Sequence, residues 1–199
     1  MTRSTNSTNY ALCSTPSITT SPGCVFWLTG LSGAGKSTLA YGASRTLAER
    51  GFRTIVLDGD VLRSGLNCDL GFSAEARDES VRRAAEVAAL CASASIVVFV
   101  SLVSPFEAGR ARARAIIGER FHEIYVEANY ETCQQRDVKG FYKLAEAGQI
   151  KDFTGLTSPY EIPHGPDLVV NTMACDARHC VDQLSAYALR HSDEYQNDK

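Results

Sequence analysis

The residues best suited to chemistry gather first at Gly30-Leu31-Ser32-Gly33-Ala34-Gly35-Lys36-Ser37. Their order fits G-x-x-x-x-G-K-[ST], the spacing of a loop that cradles phosphates. Glycines let the backbone approach a phosphate without a Cβ in the way, so several N–H groups can point inward. The positive end of a following helix adds to that field. Lys36 should reach the β- and γ-phosphates of a nucleoside triphosphate, and the Ser37 hydroxyl should ligate Mg²⁺. A glycine-rich turn with an unrelated lysine is the blander reading. The flanks oppose it: Val25-Phe26-Trp27-Leu28-Thr29 reads as a buried strand, and a helical run follows Ser37 up to Gly51.

A second group lies in "LDGDVLRSGL", where Asp58 and Asp60 follow a strand-like run. A carboxylate there can orient and deprotonate an attacking hydroxyl, or hold Mg²⁺ through water. No N-K-x-D element is present, which argues against a GTPase. The third strand-like run ends in Ser101 and Ser104 rather than an acid, so acidic duty falls to the second. Arginines come next: Arg63, Arg77, Arg82, Arg83, Arg110 and Arg114. Arg77 and Ser80 share a helix face, which suits an anionic substrate, although a solvated charged helix would look the same. Arg63 and Arg77 flank "NCDLGFS", and Phe72 offers a ring on which a base could stack. Further on, Arg136, Lys139, Lys143 and Lys151 bring positive charge, with Tyr142 and Phe153 as aromatic faces. A basic lid closing over two ligands would neutralise charge and exclude water.

These groups need a scaffold. Strand-like runs recur at 24–29, 54–58, 96–103, 122–127 and 167–171, with helical patterns at 36–50, 75–94, 105–117, 131–138 and 176–190. The alternation predicts an α/β fold, a five-stranded parallel sheet with helices on both faces. Ligands then sit at the carboxyl ends of the strands, where the loop, the aspartates and the serines fall. Between about 139 and 166 the pattern lapses, as a functional lid would. The reading is one domain over 23–190, with a disordered Ser/Thr-rich tail at 1–22 and a flexible end at 191–199.

Composition sets limits. The chain has 199 residues, is 44% hydrophobic and carries a net charge of −3, so it can bury one sizeable core and lacks the basic excess of a nucleic-acid binder. No apolar run is long enough to span a membrane. The seven cysteines, Cys13, Cys24, Cys68, Cys91, Cys133, Cys175 and Cys180, form no C-x-x-C pair and no zinc spacing with the four histidines. Buried thiols in a reducing, cytoplasmic compartment are the expectation, with redox control as the sharper alternative. The Ser-rich start also leaves organelle targeting open.

Taken in order, "GLSGAGKST", "LDGDVLRSGLNCDLGFS", "RDESVRR", "SLVSPFEAGR", "RDVKGFYKLAEAGQIKDFTGL" and "SPYEIP" resemble the adenylyl-sulfate kinase family, including the kinase half of bifunctional PAPS synthetases. The first motif marks any P-loop protein, whereas "DLGFS" followed by "KGFYKLA…FTG" is far more specific. The resemblance implies a P-loop kinase with Mg²⁺ that turns ATP and adenylyl sulfate into ADP and 3′-phosphoadenylyl sulfate, usually as a homodimer. It assigns Gly30, Leu31, Ser32, Gly33, Ala34, Gly35, Lys36, Ser37, Thr38, Arg136 and Cys175 to ATP. Asp60 would be the base, assisted by Asp58. Arg63 and Arg77 would hold the phosphosulfate, and Phe72 and Phe153 would sandwich the adenine. Ser80, Val103, Ser104, Lys139 and Asp152 complete the acceptor site. Ser104 matches a position sometimes described as a phosphoserine intermediate; direct in-line transfer makes it a substrate contact first.

Departures from the family pattern are Ser80 for asparagine, Val61 for asparagine, Ser64 for histidine, Cys68 for arginine and Asp152 for glycine. Serine at 80 is shorter and lacks the amide, which alters the acceptor pocket. Two other readings compete: a small P-loop kinase for another metabolite, which leaves "DLGFS" and "FTG" unexplained, and an inactive nucleotide-binding module, which Lys36 and Asp60 oppose.

Overall fold

Val25–Thr29 forms strand β1, and all five residues are buried. The computed structural model describes residues 23–137, 140–150 and 152–197. β1 pairs in parallel with β3 (Val97–Ser101) on one side and with β4 (Phe121–Glu127) on the other. β2 (Thr54–Asp58) and β5 (Leu168–Asn171) close the edges, giving the order β2-β3-β1-β4-β5. A strand flanked on both sides and covered on both faces must be apolar, as β1 is up to Thr29 at its carboxyl end, whose hydroxyl is hydrogen-bonded.

The pleat divides the core in two. Cys24, Phe26 and Leu28 face a cluster with Leu39, Ala43, Leu47, Leu184 and Ala188. These come from helix α1 (Lys36–Glu49) and the C-terminal helix α7 (Ala177–Asn197). Val25 and Trp27 face the opposite cluster, built with Ala84, Ala85, Ala88 and Ala92 of α3 (Ala74–Ser93) and Ala113 of α4 (Glu107–Ile117). The alanines let α3 lie close enough for Trp27, which is fully buried. Burying one such side chain contributes roughly 1.5–3 kcal/mol.

Every expected strand is present within one or two residues. β3 is shorter than the 96–103 run predicts, because the chain leaves the sheet after Ser101 and turns at Ser104, whose φ is +38°. Two short helices fall where the pattern predicts only loop. In α2 (Gly59–Ser64), Asp58 caps the N-terminus by accepting from the Asp60 N–H at 3.0 Å. α6 (Phe141–Glu146) lies inside the lid segment, after α5 (Tyr130–Arg136). α7 runs to Asn197, past the end at 190 that the pattern predicts, and so enters the expected flexible end. His191 packs on Tyr187 and His122, with ring centroids 4.4 and 4.7 Å away, and Ser192 is buried, which holds that turn in place. The tail over 1–22 lies outside the described residues. Among the described residues no helix is long and apolar enough to cross a membrane.

Candidate active site

The order of the strands reverses at β1, so a crevice opens at its carboxyl end, between the loops that leave to either side. The glycine-rich loop occupies that crevice and wraps into α1. Gly30, at φ +148°, cannot carry a side chain: a Cβ would lie 2.5 Å from the Val126 carbonyl oxygen. Gly35, at φ +107°, turns the chain into the helix without a side-chain cap, leaving the first N–H groups of α1 facing the crevice. Lys36 is buried and donates from Nζ to the carbonyl oxygens of Gly30 (2.9 Å) and Leu31 (2.7 Å), across the mouth of the loop. Ser37 Oγ donates to Asp58 Oδ2 at 2.5 Å and lies 3.2 Å from Ser101 Oγ.

A cavity of about 1070 Å³ runs from this loop to the lid. Its lining brings together Ser32 to Thr38, Asp58, Asp60, Arg63, Phe72, Arg77, Ser80, Val103, Ser104, Arg136, Asp152, Phe153 and Cys175. Of the residues singled out in the sequence, Gly30 lies beneath the lining and acts through its carbonyl. Leu31 faces a separate cavity with Tyr125, Tyr130 and Leu156. Lys139 lies outside the described residues, as does Lys151.

At the nucleotide end, Arg136 donates to Thr172 Oγ1 (3.0 Å) and to the Thr172 carbonyl (2.7 Å), while Thr172 Oγ1 donates to the Ala34 carbonyl at 3.0 Å. These bonds tie α5, the end of β5 and the loop into one wall. Thr172 escaped the sequence reading, although it follows a strand at the carboxyl edge and that position was its signal. Tyr142 also differs from expectation. It is buried and donates its hydroxyl to the Ser32 carbonyl at 2.8 Å, so it props the loop rather than offering a face. Burial pushes its phenol well above the ordinary tyrosine range.

At the other end, Arg63 and Arg77 converge on Phe72. Their guanidinium carbons lie 4.1 and 5.7 Å from its ring centroid. Arg77 also donates to the carbonyls of Phe72 (2.9 Å) and Asp152 (2.8 Å), joining α3 to the lid. Burial lowers both guanidinium pKa values; Asp60 opposes the shift at Arg63, and Arg63 adds to it at Arg77. Two cations held this close repel, and an anion between them relieves the repulsion. The remaining arginines do not line the cavity. Arg82 and Arg83 pair with Glu79, Arg83 also with Asp69, and Arg114 with Asp167.

Ser104 is buried in its left-handed turn by side chains that no motif announced. Trp27 Nε1 donates to Ser104 Oγ at 3.1 Å, and Arg110 donates to the Ser104 carbonyl at 3.0 Å while its Nε meets Glu123 at 2.7 Å. Thr29 Oγ1 donates to the Val103 carbonyl at 2.8 Å and lies 3.0 Å from the Tyr160 hydroxyl. The cysteines divide: Cys24, Cys133 and Cys180 are buried, Cys91 is half-buried, and Cys68 and Cys175 are exposed, so burial holds for only part of the set. Cys13 lies outside the described residues.

Comparison with known proteins now decides the family. The model of the family described as adenylylsulphate kinase matches residues 22–171. The chain belongs to this family. It is 47% identical to the adenylyl-sulfate kinase of Clostridium acetobutylicum over 85% of this chain and 84% of that protein. It is 49% identical to that of Prochlorococcus marinus, over 80% of each. The structure of the Mycobacterium tuberculosis APS kinase CysC in complex with AMPPNP and APS superposes with a TM-score of 0.82 at 40% identity, covering 85% of this chain and 99% of that one. In this adenylylsulphate kinase family member the phosphate loop, Asp60 and Ser80 line one cavity. Asp152 adopts φ +57°, a left-handed backbone conformation that favours glycine. Aspartate tolerates that region better than most residues.

Proposed function

We propose that this chain is an adenylyl-sulfate kinase of sulfate activation, transferring the ATP γ-phosphate to the 3′-hydroxyl of adenylyl sulfate to give ADP and 3′-phosphoadenylyl sulfate. The observation that carries the reading is the pairing, across one cavity, of a phosphate loop with two mutually repelling arginines beside an aromatic ring. One end suits a triphosphate; the other suits a second nucleotide with a strongly anionic tail.

The backbone N–H groups from Ser32 to Thr38 hold the β- and γ-phosphates, and Lys36 exchanges its loop carbonyls for phosphate oxygens. Asp60, in the first turn of α2, takes the proton of the acceptor hydroxyl. The oxygen–phosphorus bond to the acceptor forms as the bond from the γ-phosphorus to the ADP oxygen breaks. Asp58 holds Ser37 and the α2 N-terminus in place. Ser37, Asp58 and Ser101 bring hard oxygen donors together, a set that fits Mg²⁺ shared with nucleotide phosphates. When bound, that ion neutralises charge on the phosphates. Arg63 and Arg77 take the phosphosulfate, Phe72 and Phe153 the adenine, and Val103, Ser104, Ser80, Asp152 and Lys139 complete the acceptor site; Arg136 and Cys175 border the ATP base. Ser104 Oγ already accepts from Trp27 in a buried turn, which favours direct transfer over a phosphoserine. A homodimer follows from the family resemblance. A cytoplasmic location is the reducing compartment that suits the exposed Cys68 and Cys175.

The test is product identity. ³¹P spectra of the reaction with adenylyl sulfate should show a new 3′-phosphomonoester, and Asp60→Asn should cut kcat by about 10²–10⁴-fold with ATP affinity kept. A product phosphorylated elsewhere, or full activity in Asp60→Asn, would end this reading.

A further inference from the structure

Behind the acceptor end of the cavity lies a buried polar pair that the phosphoryl transfer itself does not use. Asn67, 1% exposed, follows α2, and Ser80, 5% exposed, lies one turn beyond Arg77 on α3. Asn67 Nδ2 donates to Ser80 Oγ at 2.9 Å. The Asn67 backbone is held on both sides, its N–H by the Leu62 carbonyl at 2.8 Å and its carbonyl by the Leu70 N–H at 3.0 Å. Ser80 lines the cavity and Asn67 does not. Asn67 Oδ1 is buried with no hydrogen-bond partner.

A serine hydroxyl has one hydrogen to give. Because its oxygen accepts from Asn67, that hydrogen is not spent on the amide. It remains for an acceptor atom on whatever fills the cavity beside Arg77 and Phe72. An unsatisfied buried carbonyl costs about 1–3 kcal/mol, a cost that an apolar residue at 67 would avoid. The chain accepts it in order to present an N–H to Ser80.

We infer that Asn67 is a positioning residue for acceptor binding: its amide fixes Ser80 as a hydrogen-bond donor toward the nucleoside part of the acceptor nucleotide. This rests on the reading of the cavity as the adenylyl-sulfate site and deepens it, since it assigns the donor that replaces the family's asparagine at position 80. The occupant it selects is a nucleoside with a ring nitrogen or ribose oxygen at that wall.

Asn67→Asp tests the direction of the bond with almost no change of shape. Once ionised, the introduced carboxyl cannot donate, so Ser80 must turn its hydrogen toward it and meet the cavity with lone pairs only; burial raises that carboxyl's pKa, so KM is read as a pH series up to about 9. KM for adenylyl sulfate should rise about 3- to 10-fold, the worth of one hydrogen bond, with kcat and the KM for ATP within about 2-fold. In a Ser80→Ala background the same substitution should leave KM for adenylyl sulfate unchanged, and Ser80→Ala alone should raise it by a similar factor with Asn67 intact. An unchanged KM in Asn67→Asp would overturn the inference, as would an equal rise with Ser80 already removed. Wild-type protein that fails to turn over adenylyl sulfate would overturn the reading of the site and this inference with it; wild-type turnover with an insensitive Asn67→Asp overturns the inference alone.

Discussion

Arg110 carries a charge into the interior to hold the turn at Ser104, and replacing it by methionine measures what that arrangement is worth. Its side chain is 3% exposed and its partner Glu123 is 13% exposed, with 2.7 Å between Nε and Oε1. Removing one partner of a buried pair costs about 3–5 kcal/mol, because the other charge stays behind without its counter-ion. Arg114 lies 4.0 Å from the second Glu123 oxygen and softens the loss, so the lower end applies. At 2–4 °C per kcal/mol for a domain of this size, Tm should fall by roughly 6–12 °C in Arg110→Met. The Ser104 carbonyl also loses its 3.0 Å donor, so the turn loosens and kcat with adenylyl sulfate should fall with it. Arg110→Met/Glu123→Leu should recover most of the stability but not the activity, since an apolar pair replaces the charges without restoring the bond to Ser104. Urea unfolding and steady-state assays on wild type, both single variants and the double variant give all the terms. A loss under about 1 kcal/mol in Arg110→Met, or a double variant no more stable than the single, would refute the reasoning.

Three other variants probe the supports of the site. Tyr142→Phe removes the 2.8 Å bond to the Ser32 carbonyl and should cost about 1 kcal/mol in urea unfolding and raise the KM for ATP a few-fold, with the acceptor KM unmoved. Trp27→Phe keeps a ring in the core but deletes the N–H on Ser104; kcat should drop by more than the stability loss explains, and equal behaviour on a Ser104→Ala background would confirm the route through Ser104. Glu79 is held at a pKa of about 2 by hydrogen bonds from Arg82 and Arg83. Its contribution is therefore complete above the ordinary carboxylate range near 4.5 and fades as pH falls through about 2. Glu79→Gln should lower stability by at most about 1 kcal/mol at pH 7, given solvent screening, and the gap from wild type should close near pH 2 in a pH series of denaturant titrations.

What could be read without the fold was whatever is local. The phosphate loop is a run of eight residues whose spacing states its chemistry, and β1 and α1 on either side follow from pattern. Asp58 and Asp60 were legible for the same reason, but the cap that Asp58 provides was not. A six-residue helix is too short to show a period. The arginines were the weaker inference. Glu79 stands three and four residues before Arg82 and Arg83, so helical spacing alone could have assigned those two to ion pairs. Arg110 and Arg114 depend on Glu123 and Asp167 across strand and loop, which no window reveals. The turn at Ser104 was invisible because its partner Trp27 lies 77 positions earlier and its left-handed backbone has no glycine to mark it. Asn67 and Ser80 were each visible as letters, the second as a departure from the family pattern; their contact came only with the packing of α3 over the turn after α2.

The central claim is that one cavity joins ATP to adenylyl sulfate, and ADP release from Mg·ATP by the purified protein tests it most directly. With adenylyl sulfate, AMP, adenosine and shikimate offered as acceptors, turnover should occur with adenylyl sulfate alone and vanish in Lys36→Ala and Asp60→Ala. Preference for another acceptor, or ATP binding without transfer to adenylyl sulfate, would contradict the account and point to positions 61, 64, 68 and 80, of which Ser80 lines the cavity.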